Sequence, residues 1–284
     1  MVHNQKSLLG IVGLGLIGGS LSLDLQAVGH TVHGLVSREE TAQRALEREL
    51  ATVVSTDPKI LSDCELVILA HPLKQLLTPS KELIEALSPS CIVTDVGSVK
   101  LPVLEKWQEI HPRFVASHPM AGTNESGVEA GVRGLFVSRP WIATPTNSTD
   151  PIALECVRKI AESVGSHWLL SDAKGHDRAV ALVSHMPLVI STVLIKAISE
   201  ETDPLIGALA RALASSGFAD TSRVGGGEPH IATGMMQNNT KALTDSILTY
   251  RQSLEKLEHL MAKGDWVQLS SEFENTKRLR PEFL

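Results

Sequence analysis

The chain is expected to fold as a doubly wound α/β parallel sheet followed by an all-α part. Three features of its 284 residues predict this. A glycine-rich turn at residues 13–18 (GLGLIG) directly follows an apolar β-branched run. Up to residue 170, short apolar runs alternate with stretches of helical periodicity, the rhythm of βαβ units. Beyond Ser171 the strand signals stop and helical patterns remain. A boundary near Asp172 therefore divides the chain into residues 1–172 and 173–284.

Taken in order, residues 8–12 read as the first strand, 17–28 as a helix, 31–36 as the second strand and 39–50 as a charged helix. Residues 66–70 (LVILA) are apolar without alternation, as a strand covered on both faces should be. Residues 76–87 read as a helix, 91–95 as a strand, 99–111 as a helix and 114–117 as a strand. Later strands at 140–143 and 167–170 flank a helix over 150–164. Further helices are expected near 177–200, 203–215, 229–236, 242–262 and 266–278. Residues 215–229 (SSGFADTSRVGGGEP) read as an irregular loop, a long one for a helical domain and so a functional candidate.

Hydrophobic residues make up 43% and charged residues 20%, enough to bury a sizeable core. A net charge of −6 has the wrong sign for a nucleic-acid partner. Cys64, Cys91 and Cys156 are odd in number and widely spaced; they suggest a reducing compartment and form no metal-binding pattern. Seven residues precede the first apolar run, too few for a signal or transit peptide. The apolar stretch 179–198 is interrupted by Ser184, His185, Pro187, Ser191, Thr192 and Lys196, so it reads as a buried core helix and not as a membrane span. A cytoplasmic protein without a membrane partner is expected.

The glycine pattern lies between a strand and a helix, which is the context a dinucleotide-binding turn requires. Gly13 permits the turn, Gly15 lets the backbone approach a pyrophosphate, and Gly18 lets helix and strand pack closely. With Leu16 and Ile17 these residues form the expected cofactor-binding turn of a Rossmann-type domain. The end of the second strand chooses the cofactor. An NAD enzyme places an acid there for the ribose 2′-hydroxyl, whereas this chain has Ser37 and Arg38. A hydroxyl and a guanidinium suit a 2′-phosphate, so NADP is expected. The alternative is a solvated Arg38 paired with a nearby glutamate.

Ligands of an open parallel sheet sit beyond the carboxyl ends of its strands. Ser98 and His118 follow two such ends. A histidine can accept a hydroxyl proton near neutral pH, and a serine can orient the same oxygen. Residues 95–100 (DVGSVK) and 117–123 (SHPMAGT), then 175–180 (GHDRAV), 184–187 (SHMP) and 215–229, resemble in order the prephenate and arogenate dehydrogenases of tyrosine biosynthesis. The resemblance covers nearly the whole chain. It implies oxidative decarboxylation of a cyclohexadienol that bears a 4-hydroxyl and a ring carboxylate. His118 would be the catalytic histidine, and Ser98 would bond the hydroxyl and help place His118. Arg223 would bind a substrate carboxylate, a salt bridge with Asp220 being the other use for it. His185 with Ser184, and His176, match further substrate-binding positions of the family; for His176 a helix-start role beside Asp177 is an equal reading. His176 and His185 are nine residues apart, on opposite faces of an ideal helix. Both can line one site only if the helix starts after His176 or bends, and Pro187 is a reason to expect distortion. Asn124 stands where some members carry an acid, and Ala219 where some carry a base.

NADP together with a short chain resembles the arogenate-specific branch, so arogenate is the expected substrate and prephenate the alternative. Another β-hydroxyacid-type dehydrogenase and a non-catalytic NADPH-binding regulator are the remaining alternatives. The apolar content of residues 179–198 and 205–213 exceeds what one layer of helices can cover, and a homodimer is expected.

Overall fold

A computed structural model describes residues 7–123 and 125–283. The expectations about the first residues and about Asn124 concern positions outside this range. The chain forms two compact units, one up to Thr240 and one from Lys241 on.

The first unit begins with β1 (Leu8–Val12), α1 (Leu16–Ala27), β2 (Thr31–Leu35), α2 (Glu39–Glu47) and β3 (Val53–Ser55). It continues through β4 (Leu66–Leu69), α3 (Leu73–Leu77), α4 (Lys81–Ala86), β5 (Ile92–Asp95), α5 (Leu101–Ile110) and β6 (Phe114–Val115). Among the described residues these strands form one sheet in the order β3-β2-β1-β4-β5-β6, and every pairing is parallel. The strand order reverses between β1 and β4, where such a sheet opens its ligand crevice. β4 shows why the absence of alternation is informative. Leu66 and Ile68 pack into the core on one face with Leu21, Leu25 and Trp141. Val67 and Leu69 pack into the core on the other face with Leu76, Trp107 and Phe114. The unexpected β3 is a three-residue edge strand, too short for a periodicity to register.

Two expected elements are each divided. Residues 76–87 form α3 and α4 instead of one helix. Pro79 falls between them, and the Ser80 hydroxyl caps α4 by accepting from Leu83 N at 3.2 Å. Residues 114–117 are not one strand. β6 stays with the parallel sheet, while β7 (Ser117–Pro119) joins a second sheet with β8 (Pro140–Ala143) and β9 (His167–Leu170). β7 pairs antiparallel with β8, so His118 lies opposite Ile142, within a strand and not beyond one. The crossing is fixed at Ala116, whose carbonyl accepts from Thr144 N at 2.9 Å.

α6 (Pro151–Ser163) precedes β9, and helices follow: α7 (Ala173–Val180), α8 (Met186–Ser199), α9 (Pro204–Leu213), α10 (Ser216–Ser222) and α11 (Pro229–Asn238). The segment read as an irregular loop is therefore α10 followed by a 3-10 turn over Arg223–Gly226. It lies on α8, where the Ser191 hydroxyl donates to Thr221 O at 2.7 Å and accepts from Gly225 N at 3.1 Å. Between α7 and α8, Ala181–His185 is a turn of π-helix.

The helical run Ala173–Ser199 is long and apolar enough to cross a membrane by length and composition alone. Its N-terminal half carries His176, Asp177 and His185, all buried and hydrogen-bonded into the first unit. The expectation that its apolar stretch is a buried core helix does not hold for the single chain. Ser191 is the buried residue of α8, while Val193 is 56% exposed and Leu205 on α9 is 80% exposed. Among the described residues nothing in one chain covers this face.

The second unit is a helical hairpin, the rest of α12 (Thr240–Lys263) and α13 (Trp266–Leu279). Gly264 turns the chain at φ 68°, Asp265 caps α13 by accepting from Gln268 N, and Lys256 Nζ pairs with Glu272 Oε1 at 2.6 Å.

Candidate active site

The turn between β1 and α1 has the shape a dinucleotide needs. Gly13 adopts φ 93°, and a Cβ there would lie 2.8 Å from Ala70 O. A Cβ on Gly18 would lie 1.9 Å from Gly13 O, so turn and helix could not close around any side chain. Gly15 is the N-cap of α1 and supplies no side-chain cap, which leaves the first N–H groups of the helix for an anion. Leu16 and Ile17 follow it, both half-buried. His71, at the end of β4 beside this turn, is held neutral by burial, which pushes its imidazole down to about 4. A backbone group of Gln75 beside the ring opposes that shift. A tight glycine turn leading into an uncapped helix terminus fits a bound dinucleotide.

Ser37 and Arg38 are exposed past the end of β2, and Arg38 is the N-cap of α2. Glu39 is bonded to Thr56, and among the described residues no carboxylate pairs with Arg38.

His118 sits at the centre of a buried polar network. Asp95 and Lys100 form an ion pair with both side chains fully buried. Lys100 Nζ also donates to Ser117 O at 2.7 Å, and Asp95 Oδ1 accepts from Ser117 N at 3.2 Å. The Ser117 hydroxyl accepts from Trp141 Nε1 at 2.9 Å. The backbone preceding His118 is thus clamped on both sides. Burial pushes the Lys100 ammonium below its usual range and the Asp95 carboxyl above its own, and their contact opposes both shifts.

The His118 ring is held from the helical part. Its Nδ1 lies 2.9 Å from His176 Nε2, and His176 Nδ1 lies 2.8 Å from Asp177 Oδ1. Asp177 also accepts from the backbone N–H groups of Lys100 at 2.7 Å and Leu101 at 2.9 Å, which caps α5. A carboxylate only accepts, so His176 Nδ1 carries a proton and donates it. In the neutral form of His176, Nε2 accepts from His118 Nδ1–H, and the one remaining lone pair of His118 is on Nε2. Desolvation first, then the neighbouring His176, Lys100 and His185, hold the His118 imidazole well below its ordinary range. It is a neutral base with a defined free end.

His185 is buried on the π turn with Ser184, half-buried, beside it. The helix starts at Ala173, before His176, so the bend alone brings both histidines inward. A π turn holds one extra residue, so His176 and His185 count as about eight residues apart and lie roughly 80° from each other instead of opposite. Asn239 Nδ2 contacts His185 Nδ1 at 3.2 Å. Arg223 is exposed at the start of its 3-10 turn. Ser98 is half-buried in the loop after β5, and among the described residues its hydroxyl makes no hydrogen bond; His176, and not Ser98, holds His118. His230 and His259 are exposed.

Two family models match the chain: "Prephenate dehydrogenase, nucleotide-binding domain" over residues 21–170 and "Prephenate dehydrogenase, dimerization domain" over residues 172–275. The chain belongs to the prephenate dehydrogenase family. A cyclohexadienyl dehydrogenase of Zymomonas mobilis is 31% identical over 277 residues, covering 96% of this chain and 94% of its own. The crystal structure of Synechocystis arogenate dehydrogenase is 40% identical, covers 98% of this chain and all of its own, and has a TM-score of 0.83. Prephenate dehydrogenase from A. aeolicus, in complex with hydroxyphenyl propionate and NAD+, is 27% identical, covers 99% of each chain and has a TM-score of 0.91.

The prephenate dehydrogenase family resemblance drawn from the sequence is thus correct, as is the fold class. Asp177 and Asn239 escaped the sequence analysis as site residues. The first stands inside a quoted motif, GHD, and could have been weighed; the second stands in none.

Proposed function

We propose that the protein oxidatively decarboxylates arogenate to tyrosine with NADP+. The observation that carries this reading is the chain Asp177–His176–His118, which leaves an unprotonated Nε2 at a buried ring in a nucleotide-binding family member. Residues 13–18 would hold the pyrophosphate of the dinucleotide, whose nicotinamide would supply the hydride acceptor. His118 Nε2 takes up the proton of the substrate 4-hydroxyl as the C4–H hydrogen leaves as hydride. It returns that proton to the oxygen once the ring carboxylate has gone as CO₂ and its bonding pair has completed the aromatic ring. The Asp177 carboxylate stabilises the transient positive charge through His176. Positioned acid–base help of this kind contributes about 10²–10⁴ in rate. Ser98 orients the same hydroxyl, Arg223, His185 and Ser184 serve the substrate's carboxylates and side chain, and His176, expected from the sequence to bind substrate, acts through His118 because both of its ring nitrogens are taken.

The choice of NADP is supported by the missing acid after β2 and by an unpaired Arg38. The choice of arogenate is supported by the 40% identity to Synechocystis arogenate dehydrogenase. Prephenate is the second reading, favoured by the family name and by the A. aeolicus relative with NAD+. The division of labour is nucleotide binding by residues 1–172 and substrate binding and dimerisation by 173–284. A homodimer is supported by the dimerization-domain match and the uncovered face of α8 and α9, and a cytoplasmic location by the three widely spaced free cysteines. The test is absorbance of the reduced cofactor with arogenate and prephenate, each with NADP+ and NAD+. Arogenate with NADP+ should turn over fastest, and no reduction with either substrate would remove this reading.

A further inference from the structure

We infer that Asn239 is a positioning residue that fixes His185 as a neutral imidazole protonated on Nε2, so that His185 meets the substrate as a hydrogen-bond donor to oxygen and not as a cation. Asn239 is buried at the C-terminal cap of α11. Its amide nitrogen lies 2.7 Å from Asp177 O and 3.2 Å from His185 Nδ1. A backbone carbonyl can only accept, so the group facing Asp177 O must be the NH₂ and not the amide oxygen. The same NH₂ has only donors to offer His185, so Nδ1 must be the unprotonated nitrogen. The single proton of a neutral ring is then on Nε2.

A neutral ring is what this environment favours: desolvation, with His176 adding to it and Asp177 opposing, pushes His185 down to about 4. Nε2 is buried and has no partner among the described residues. Buried N–H groups are normally satisfied. An oxygen acceptor of the substrate (carboxylate, carbonyl or hydroxyl) would complete this one. The identity of that acceptor rests on the proposed dehydrogenase reading; the tautomer does not.

The test is a long-range ¹H–¹⁵N spectrum of the full-length protein labelled with ¹⁵N-histidine, with His185→Gln to assign the signal. The expected result at neutral pH is a bare Nδ1, a protonated Nε2, and a shift of the Nε2 resonance on adding arogenate or prephenate without cofactor. A His185 protonated on Nδ1 or on both nitrogens overturns the inference, and so does an Nε2 that neither substrate perturbs. Asn239→Asp, which sets an acceptor against Nδ1, should draw a proton there. KM should then rise roughly tenfold at high pH and recover at low pH, where Nε2 is protonated again, while kcat changes less. A KM without that pH dependence in a folded Asn239→Asp protein would also overturn the inference. Absence of turnover in the wild type, with the tautomer as expected, would count against the dehydrogenase reading alone.

Discussion

Nε2 of His176 lies 2.9 Å from Nδ1 of His118, and this contact decides which end of the second imidazole is free to act. A histidine in a neutral pocket has two tautomers of similar energy, and only the one with a bare Nε2 can serve as the base. Replacing His118 by Asn removes the base and keeps a polar side chain of similar reach. Turnover should fall by about 10²–10⁴, with cofactor affinity unchanged by titration. Intact turnover would rule out His118 as the base.

Asp177→Asn tests the far end of the chain. An amide can present its NH₂ to His176 Nδ1, which reverses the direction of both hydrogen bonds and leaves His118 protonated on the wrong nitrogen. The expected result is a kcat about 10–100-fold lower with a smaller change in KM. Because Asp177 also caps α5, unfolding temperature should drop as well. A drop in stability with unchanged kcat would leave Asp177 a cap and nothing more.

The buried imidazoles set the acid limit of stability. His71 and His185 are each pushed down to about 4, and His118 well below its usual 6.5. The unfolded chain protonates these rings below about pH 6.5, while the folded chain does not. The unfolded state therefore binds more protons there, and stability, complete above that pH, is lost as the pH falls toward 4. Unfolding temperature measured from about pH 7 down to about pH 5 should decline, and His71→Gln should flatten the decline. A flat profile in the wild type would show that these rings are not held neutral.

What could be read from the sequence follows from range of interaction. β4 and the 13–18 turn are local: a run of apolar residues and the spacing of glycines carry their own explanation, and both were found. The division at Pro79 and the crossing at Ala116 depend on one proline and one hydrogen bond against a run that otherwise reads as continuous. The site depends on contacts across the chain. Asp177 reaches Lys100, and Asn239 reaches Asp177 and His185, through pairs more than 50 residues apart. No periodicity encodes such a pair. His176 and His185 could be named from motifs, but their shared orientation needed the π turn, which the sequence announces only through Pro187.

Arg38 gives the cofactor choice a direct test. Its guanidinium is exposed at the end of β2 without a carboxylate partner among the described residues, where a 2′-phosphate would lie. Hydrogen bonds to charged groups contribute about 1.5–3 kcal/mol, so Arg38→Ala should raise KM for NADP+ by roughly 10–150-fold and leave NAD+ nearly unaffected. Equal effects on the two cofactors would make Arg38 a surface residue and remove the argument for NADP.

The uncovered face of α8 and α9 leads to the last expectation. Leu205 is 80% and Leu213 70% exposed on a helix of strongly apolar composition. Burying one such side chain is worth about 1.5–3 kcal/mol, and a single soluble chain gains nothing from leaving several on one surface. Two copies meeting here would cover the same patch reciprocally, as a two-fold interface requires. Sedimentation should give twice the 30.6 kDa chain mass. Leu205→Asp with Leu213→Asp should shift the protein toward the single-chain mass on dilution, because each carboxylate would have to be buried without a partner. A wild-type protein that sediments as one chain at every concentration would mean that some other surface covers these leucines.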